Sequence, residues 1–318
     1  MKYALISDIH GNFPALEAVM ADAKRQSVDH FIFLGDYIED LPWPNEVTEL
    51  VRSTENATII RGNKEDYLEN LRHEDRAGWI SEQFAPIYWN CRELTPSNYD
   101  YLTSLPDKAV ISAPNGEKIY LSHSSTIFFR NPRIEPMHSS YYSQKMLESP
   151  LSQVEYLEYA RQAVLNRPDV MEEIAQCPKG IHAFGHNHLQ WHMENNGVFH
   201  VNPGSCGFPL GFSSYALYTI IEPTASTWNI SECCVAYDVE GTINELKKSS
   251  LFEQAEIWSR VIIRALRDGR DYVSFFLRHA MVVAQKYDKN FAYPVSNEVW
   301  HEAAKSFEMI DIYNLKSR

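Results

Sequence analysis

The amino-acid sequence predicts an α/β fold followed by a C-terminal helical extension. Short apolar runs alternate with segments of helical spacing from the first residues onward, which is the pattern of strands joined by helical crossovers. The first three apolar runs end in polar turns, as expected for buried strands of a mainly parallel sheet. After residue 238 the spacing is helical, which indicates the extension.

The first part of the chain is predicted to form three parallel strands joined by helices. Its elements are strands at residues 3–6, 31–34 and 57–60, and helices at about 13–26 and 45–53. Right-handed crossovers place such strands side by side. Since ligands bind beyond the carboxyl ends of the strands in sheets of this kind, we expect the polar residues after each strand to share one edge.

The middle of the chain is predicted to add further strands. A mixed helical stretch covers about residues 64–105, and further helices lie within 151–176. Strands are expected at residues 108–112, 118–121, 181–184, 189–194, 198–201, 214–222 and 227–237. The segment 124–150 has weak periodicity, and we interpret it as a surface insertion near the site.

This pattern divides the chain into a domain of residues 1–238 and a helical extension of residues 239–318. With breaks near Gly269 and Pro294, helical spacing covers residues 240–277, 278–287 and 297–307. The extension could cap the site, form a dimer interface or pack against the sheet. Packing is the default expectation for amphipathic helices.

Composition and charge restrict the class of protein. Hydrophobic residues make up 44% of the 318-residue chain, which is enough for a sizeable core. A formal charge of −13 disfavours binding to a polyanion, so a nucleic-acid partner is not expected. Five irregularly spaced cysteines favour a reducing compartment over a disulfide framework, and we predict a cytoplasmic protein. No apolar stretch is long enough to predict a transmembrane helix or a signal sequence.

Five polar clusters follow apolar runs along the chain. They are Asp8-Ile9-His10, Gly35-Asp36, Gly62-Asn63, His123 and Gly185-His186-Asn187-His188. Carboxylate and imidazole together are ligands that first-row transition metals accept. In an extended segment residues two apart point to the same side, so Asp8 and His10 are expected to face one ion together. The same spacing lets His186 and His188 face the site.

These clusters, in this order, resemble the motifs of the calcineurin-like metallophosphoesterase superfamily: D-x-H, G-D, G-N, a lone His and G-H-x-H. The resemblance covers residues 1 to about 210. It implies a four-layer α/β/β/α sandwich of two mixed sheets flanked by helices. It also implies two divalent cations, for which manganese is the first expectation and iron or zinc the alternatives.

The resemblance implies a ligand set for each cation. One ion would be bound by Asp8, His10, Asp36 and His188. The other would be bound by Asp36, Asn63, His123 and His186. Asp36 is the natural bridge, because two ions about 3.5 to 4 Å apart need a shared ligand.

Two positions depart from the superfamily pattern. The third motif reads Gly62-Asn63-Lys64-Glu65, where relatives often carry a proton-donating His after the Asn. The chain therefore resembles the small phosphodiesterase-like members that lack this His. Lys64 is expected to bind phosphate, to act as the general acid, or to be a solvated lysine at a helix start. Ser122 replaces the usual Gly before the lone His, with little expected effect.

We predict hydrolysis of a phosphate ester by a hydroxide that bridges the two cations. The expected catalytic residues are Asp36, Asn63, Lys64 and His123. The expected phosphate contacts are Asn12, Arg130 and Asn187, with Arg133 and His138 as further candidates. A phosphodiester or nucleotide-type substrate is favoured, because a poor leaving group most needs the missing proton donor.

Three alternatives remain open at this point. The enzyme could be a phosphomonoesterase or protein phosphatase. The chain could be a non-catalytic scaffold that binds a partner through its helical extension, and those helices could also join copies of the chain into a homo-oligomer. A nuclease is disfavoured by the charge of −13. No membrane partner is expected.

Overall fold

Two five-stranded sheets face each other at the centre of the molecule. The computed structural model describes residues 1–130, 134–138, 141, 145, 149, 151–208, 213–291 and 293–307. Helices cover the outer faces of both sheets, so the predicted four-layer α/β/β/α sandwich is confirmed.

The first sheet combines the amino-terminal strands with the last two strands. Its strands are β1 (Tyr3–Ile6), β2 (His30–Phe33), β3 (Ala57–Ile59), β9 (Ala216–Pro223) and β10 (Trp228–Val235). They lie in the order β10-β9-β1-β2-β3. The pairs β1–β2 and β2–β3 are parallel, as predicted, whereas β9 and β10 add antiparallel pairs.

The second sheet is built from the middle of the chain. Its strands are β4 (Lys108–Ser112), β5 (Lys118–Ser122), β6 (Gly180–Ala183), β7 (Gln190–Asn195) and β8 (Val198–Pro203). They lie in the order β4-β5-β6-β8-β7. Since β5, β6 and β8 are parallel, their carboxyl ends lie on one edge.

The helices before residue 238 cover the two outer faces. They are α1 (Phe13–Arg25), α2 (Pro44–Ser53), α3 (Asn63–Leu71), α4 (Ala85–Glu93), α5 (Pro96–Ser104), α6 (Thr126–Phe129), α7 (Gln153–Leu165) and α8 (Pro168–Gln176). The stripe Leu16, Val19 and Met20 of α1 is buried against the first sheet. Between the sheets, Leu5 and Ile181 belong to one buried apolar cluster.

The segment 124–150 is not a surface insertion where the structure describes it. Phe128, Ile134 and Met137 are buried in the cluster that joins the second sheet to α7 and α8. The weak periodicity reflects short turns of helix, at Thr126–Phe129 and Glu135–Met137, rather than exposure.

The extension consists of helices, but their boundaries differ from those predicted. They are α9 (Val239–Lys248), α10 (Ser250–Gln254), α11 (Glu256–Asp268), α12 (Tyr272–Tyr287) and α13 (Asn297–Phe307). The predicted segments 240–277 and 278–287 do not match the helices, because no Gly or Pro interrupts α12 and it continues through residues 277 and 278. The predicted break at Gly269 is confirmed, since this residue ends α11 with a φ of +60°.

The extension packs onto the first part of the chain, as the default expectation proposed. Its apolar cluster includes Leu41, Trp89 and Phe208 from outside the extension. The Trp89 indole N–H also donates to the hydroxyl of Ser250 over 3.0 Å. No helix in the described part of the chain is long and apolar enough to cross a membrane.

Candidate metal centre

The loops that follow β1 and β2 are joined to each other by backbone hydrogen bonds. The amide of Asp8 donates to the carbonyl of Gly35 over 3.0 Å, and the amide of His10 donates to the carbonyl of Asp36 over 3.0 Å. Parallel strands that end at the same edge bring these loops together, as the sequence predicted. These bonds hold the first two polar clusters side by side through the backbone alone.

Side-chain direction at the site is set by an unusual backbone conformation. Asp8, His10, Asp36, His186 and His188 have φ values of 55°, 53°, 57°, 77° and 60°. Residues other than Gly rarely adopt this left-handed backbone conformation, and such strained residues are concentrated at functional sites. The extended conformation predicted for these segments is wrong. Both members of each pair, Asp8 with His10 and His186 with His188, are left-handed.

One group of candidate ligands contains Asp8, His10 and His188. Their nearest donor atoms all lie within 4.8 Å of one another. The Nε2 atoms of His10 and His188 are 3.3 Å apart, and His188 Nε2 is 3.3 Å from Asp8 Oδ1. All three side chains are buried.

A second group surrounds the side-chain oxygen of Asn63. This Oδ1 is 3.1 Å from His123 Nε2 and 2.9 Å from His186 Nδ1. The His123 and His186 rings lie edge to face, with centroids 5.3 Å apart. The structure therefore brings Asn63, His123 and His186 together.

Asp36 lies between the two groups. Its Oδ2 is 3.9 Å from His10 Nε2, and its Oδ1 is 3.4 Å from His123 Nε2. Gly62 permits this position, because a Cβ there would collide with Asp36 Oδ1. Each carboxylate oxygen thus faces a different group, which would allow Asp36 to bind an ion in each.

Three of the four imidazoles are held from behind through Nδ1, whereas Nδ1 of His186 faces Asn63. The Nδ1–H groups of His123 and His188 donate to the carbonyls of Leu34 and Phe208, each over 2.7 Å. A carbonyl oxygen only accepts, so Nδ1 carries a proton and Nε2 is the ring nitrogen that faces the site. His10 Nδ1 lies 2.8 Å from Asp40 Oδ2 in the same way. Such outer partners orient metal-bound histidines.

These residues fit a metal. His10 and His188 turn their Nε2 atoms toward each other across 3.3 Å, and with both nitrogens deprotonated their lone pairs could bind one shared cation. The donors are imidazole, carboxylate and amide oxygen, which suit first-row divalent ions.

Electrostatics keep the buried carboxylates ionised. Burial alone would raise the pKa of Asp8, but the neighbouring His188 lowers it to about 2. Burial is likewise opposed at Asp36, where His123, His10 and Lys64 hold the pKa well below its usual range. Ionised carboxylates at these positions are the form that binds a cation.

Glu65 organises the centre without reaching it. Its carboxylate accepts the backbone N–H groups of Asp36, Tyr37 and Gly62 over 3.0, 2.9 and 2.7 Å. It therefore joins the second polar loop to the first turn of α3. This role of Glu65 was not predicted, although a Glu three residues after Gly62 at a helix start is a capping signal.

Lys64 is paired with Glu39 in the wall of the site. Burial would lower the pKa of its ammonium, but Glu39, Asp36 and Asp40 raise it. These contacts favour a fixed positive charge on Lys64. Glu39 was not predicted, and its φ of 115° is a further strained position beside the site.

Two predicted phosphate contacts have structural roles instead. Asn12 is fully buried, where it caps α1 by accepting from Ala15 N and donates to the carbonyl of Gly207. The amide of Asn187 donates to the carbonyl of Met137 over 3.2 Å and is also buried. Neither amide is free for a phosphate.

The predicted basic contacts are not brought to the centre where they are described. Arg130 is exposed and does not line the cavity above the candidate ligands. Arg133 lies outside the described residues. The ring of His138 lies 6.3 Å from that of Phe129, away from the same cavity.

The sequence of this chain matches those of known proteins. Residues 1–223 match the calcineurin-like phosphoesterase superfamily domain. An uncharacterized protein of Methanocaldococcus jannaschii is 25% identical over 269 residues, covering 79% of this chain and 93% of its own.

Two solved structures share the fold. A metallophosphoesterase from Sphaerobacter thermophilus has a TM-score of 0.57 and 23% identity, covering 85% of this chain and 100% of its own. A hypothetical protein from Pyrococcus horikoshii has a TM-score of 0.57 and 20% identity, and the match covers 83% of this chain and 97% of that protein.

The chain belongs to the calcineurin-like phosphoesterase superfamily. Membership indicates a hydrolase that acts on phosphate esters with divalent metal ions. The resemblance inferred from the five polar clusters is thereby confirmed.

Proposed function

We propose that this protein is a two-metal phosphodiesterase that acts on a nucleotide-type phosphoester. One cation would be held by Asp8, His10, Asp36 and His188, and the other by Asp36, Asn63, His123 and His186. The proposal is carried by one observation, the position of Asp36 with one oxygen toward His10 and the other toward His123.

The protein groups have distinct tasks in this proposal. Divalent ions bound here would polarise the phosphoryl oxygens and supply an acidic water. Asp36 would bind both cations and so set the distance between them. Glu65 fixes the loop that carries Asp36. The ammonium of Lys64 provides a fixed positive charge that attracts the phosphate.

The Lys64–Glu39 pair also bears on the substrate class. An ammonium held by a carboxylate is a weak proton donor, so a leaving group that departs without protonation is favoured. This agrees with a diester or another good leaving group rather than an alkyl monoester.

The test is hydrolysis of bis(p-nitrophenyl) phosphate and p-nitrophenyl phosphate with added Mn²⁺, Fe²⁺ or Zn²⁺. We expect turnover of the diester that EDTA abolishes and Mn²⁺ restores best. Asp36→Asn should lower kcat/KM on the order of 10³-fold. Asp169→Asn, on the outer helix α8, is the matched control and should retain the wild-type rate.

Three results would contradict parts of the proposal. Turnover that survives EDTA would exclude the metals, and an unaffected Asp36→Asn variant would exclude the bridge. A preference for the monoester would replace the diesterase with a phosphatase.

A further inference from the structure

The cavity above the candidate metal centre has a second half, and we propose that this half binds the aromatic ring of a substrate that carries one phosphate. The inference rests on the proposed function, because it concerns the same site. The cavity measures about 720 Å³, which is the size of a typical small-molecule site. It extends from the candidate ligands to the C-terminal extension.

The two ends of the cavity differ in chemistry. The end near the metal centre is polar and is lined by His10, Asp36, Asn63, Lys64, His186 and His188. Further along, the lining includes the apolar and aromatic residues Phe84, Ile87, Tyr88, Leu277 and Tyr293, and Tyr67 lies between the two groups, with Lys64 Nζ 5.4 Å from its ring centroid. A ligand that fills both ends therefore needs a phosphate at one end and an apolar group at the other.

The extension supplies one wall of the far end. Val273 and Leu277 are four residues apart on α12, so they share one helix face. Both are half-buried against the apolar cluster of the extension. The surface that remains free faces the cavity, so this helix contributes to ligand selection as well as to packing.

Tyr293 offers an exposed aromatic ring at this end. It is 60% exposed although it lines the cavity, whereas Tyr67, which is 44% exposed, has Lys64 Nζ 5.4 Å over its ring. Phe84 lies between the walls, with its ring centroid 6.3 Å from that of Tyr293. Rings that are exposed within a cavity can stack on a planar ligand, which stabilises binding beyond burial alone.

Charge limits the ligand to one phosphate. Among the described residues that line the cavity, Lys64 is the sole Lys or Arg, and it is already paired with Glu39. Asp40 and Glu74 add negative charge to the lining. A second phosphate beyond the metal centre would find no cation. A nucleotide diester with a single phosphate, which releases a nucleoside monophosphate as product, therefore fits better than a polyphosphate.

Binding of three commercial ligands tests the inference. Adenosine 5′-monophosphate, ribose 5-phosphate and adenosine 5′-diphosphate are titrated by calorimetry into the Mn²⁺-loaded protein. We expect the monophosphate to bind about tenfold more tightly than ribose 5-phosphate, which lacks only the base. We expect the diphosphate to bind no more tightly than the monophosphate.

Variants locate the effect in the far half of the cavity. Tyr293→Ala and Leu277→Asp should each bring the ratio of the two dissociation constants close to one. Tyr287→Ala is the matched control, since Tyr287 ends α12, is 61% exposed and does not line the cavity. It should leave the ratio unchanged.

Equal affinity for the monophosphate and ribose 5-phosphate would overturn the inference, as would failure of all three ligands to bind. Tighter binding of the diphosphate would overturn the limit to one phosphate. A preference for the base in a protein that fails to hydrolyse bis(p-nitrophenyl) phosphate would contradict the proposed function and leave the aromatic subsite supported.

Discussion

The indole Nε1–H of Trp258 donates to Oδ1 of Asp40 over 2.7 Å, although the two residues are 218 positions apart. The other oxygen of Asp40 lies 2.8 Å from Nδ1 of His10. A residue of the C-terminal extension therefore reaches a candidate metal ligand through a single carboxylate. Such outer-shell partners fix the orientation and basicity of a ligating imidazole.

Removing the indole donor should weaken metal binding. In Trp258→Phe the aromatic ring remains, but Asp40 loses one hydrogen bond and holds His10 less firmly. We expect the dissociation constant for Mn²⁺ to rise about tenfold, which is the lower end for outer-shell partners. Calorimetric titration of metal into EDTA-treated protein measures this directly.

Trp89→Phe is the matched control for this prediction. Trp89 also donates from its indole to the extension, at Ser250 over 3.0 Å, but has no link to a candidate ligand. Equal losses of Mn²⁺ affinity in the two variants would show that the extension acts through packing alone.

Glu65 should be critical for stability although it binds no cation in the proposed scheme. In Glu65→Gln three buried backbone N–H groups face a neutral amide with one acceptor oxygen instead of a carboxylate. We expect the free energy of unfolding to fall by about 3 kcal/mol, since unsatisfied buried donors cost about 1–3 kcal/mol. Urea unfolding of the metal-free protein gives the value.

The Glu155→Gln variant provides the comparison. Glu155 accepts the backbone N–H of Ser152 at the start of α7, but this helix end is exposed. Its loss of stability should be much smaller. A similar loss in both variants would mean that Glu65 contributes only as a helix cap.

The sequence predicted the location of the centre better than its geometry. Apolar runs before Asp8 and Asp36 placed both residues at strand ends, and the parallel pairing of β1 and β2 brought them together. The local conformation was not predictable in this way. The left-handed backbone of His186 and His188 depends on loops from distant parts of the chain, which have no signature in local spacing.

The side-chain roles that were not predicted from the sequence depend on contacts between distant segments. Asp40 and Trp258 are ordinary residues in their own segments, and only the docking of α11 makes them partners. Asn12 and Asn187 were predicted to contact the phosphate. Their amides instead donate hydrogen bonds to backbone carbonyls. Buried carbonyl groups in folded proteins nearly always have such a donor.

The stability of the protein should fall at acid pH through His200. This side chain is 2% exposed in β8, and neither ring nitrogen has a hydrogen-bond partner in the described structure. Burial, with a contribution from His182, lowers its pKa to about 3. The unfolded chain binds a proton near pH 6.5 and the folded chain does not, so stability is full above about 6.5 and is lost at about 1.4 kcal/mol per pH unit toward pH 3.

His200→Phe should remove this dependence. Urea unfolding between pH 4 and 7 should give a shallower decline in the variant than in the wild type. His73→Gln, at an exposed position, should retain the wild-type slope. Equal slopes in His200→Phe and wild type would show that other groups cause the acid loss.

Lys64 should act as a fixed charge rather than as a proton donor. The pairing with Glu39 keeps its ammonium protonated, so it attracts the phosphate whatever the leaving group is. In Lys64→Gln we expect kcat/KM to fall by a similar factor, about 10²-fold, for diesters that release p-nitrophenol and for those that release phenol. Lys64→Arg keeps the charge and should recover much of the rate. A general acid would behave differently, because a poor leaving group depends most on protonation. A loss confined to the phenol-releasing diester would therefore refute the fixed-charge role and restore Lys64 as the proton donor.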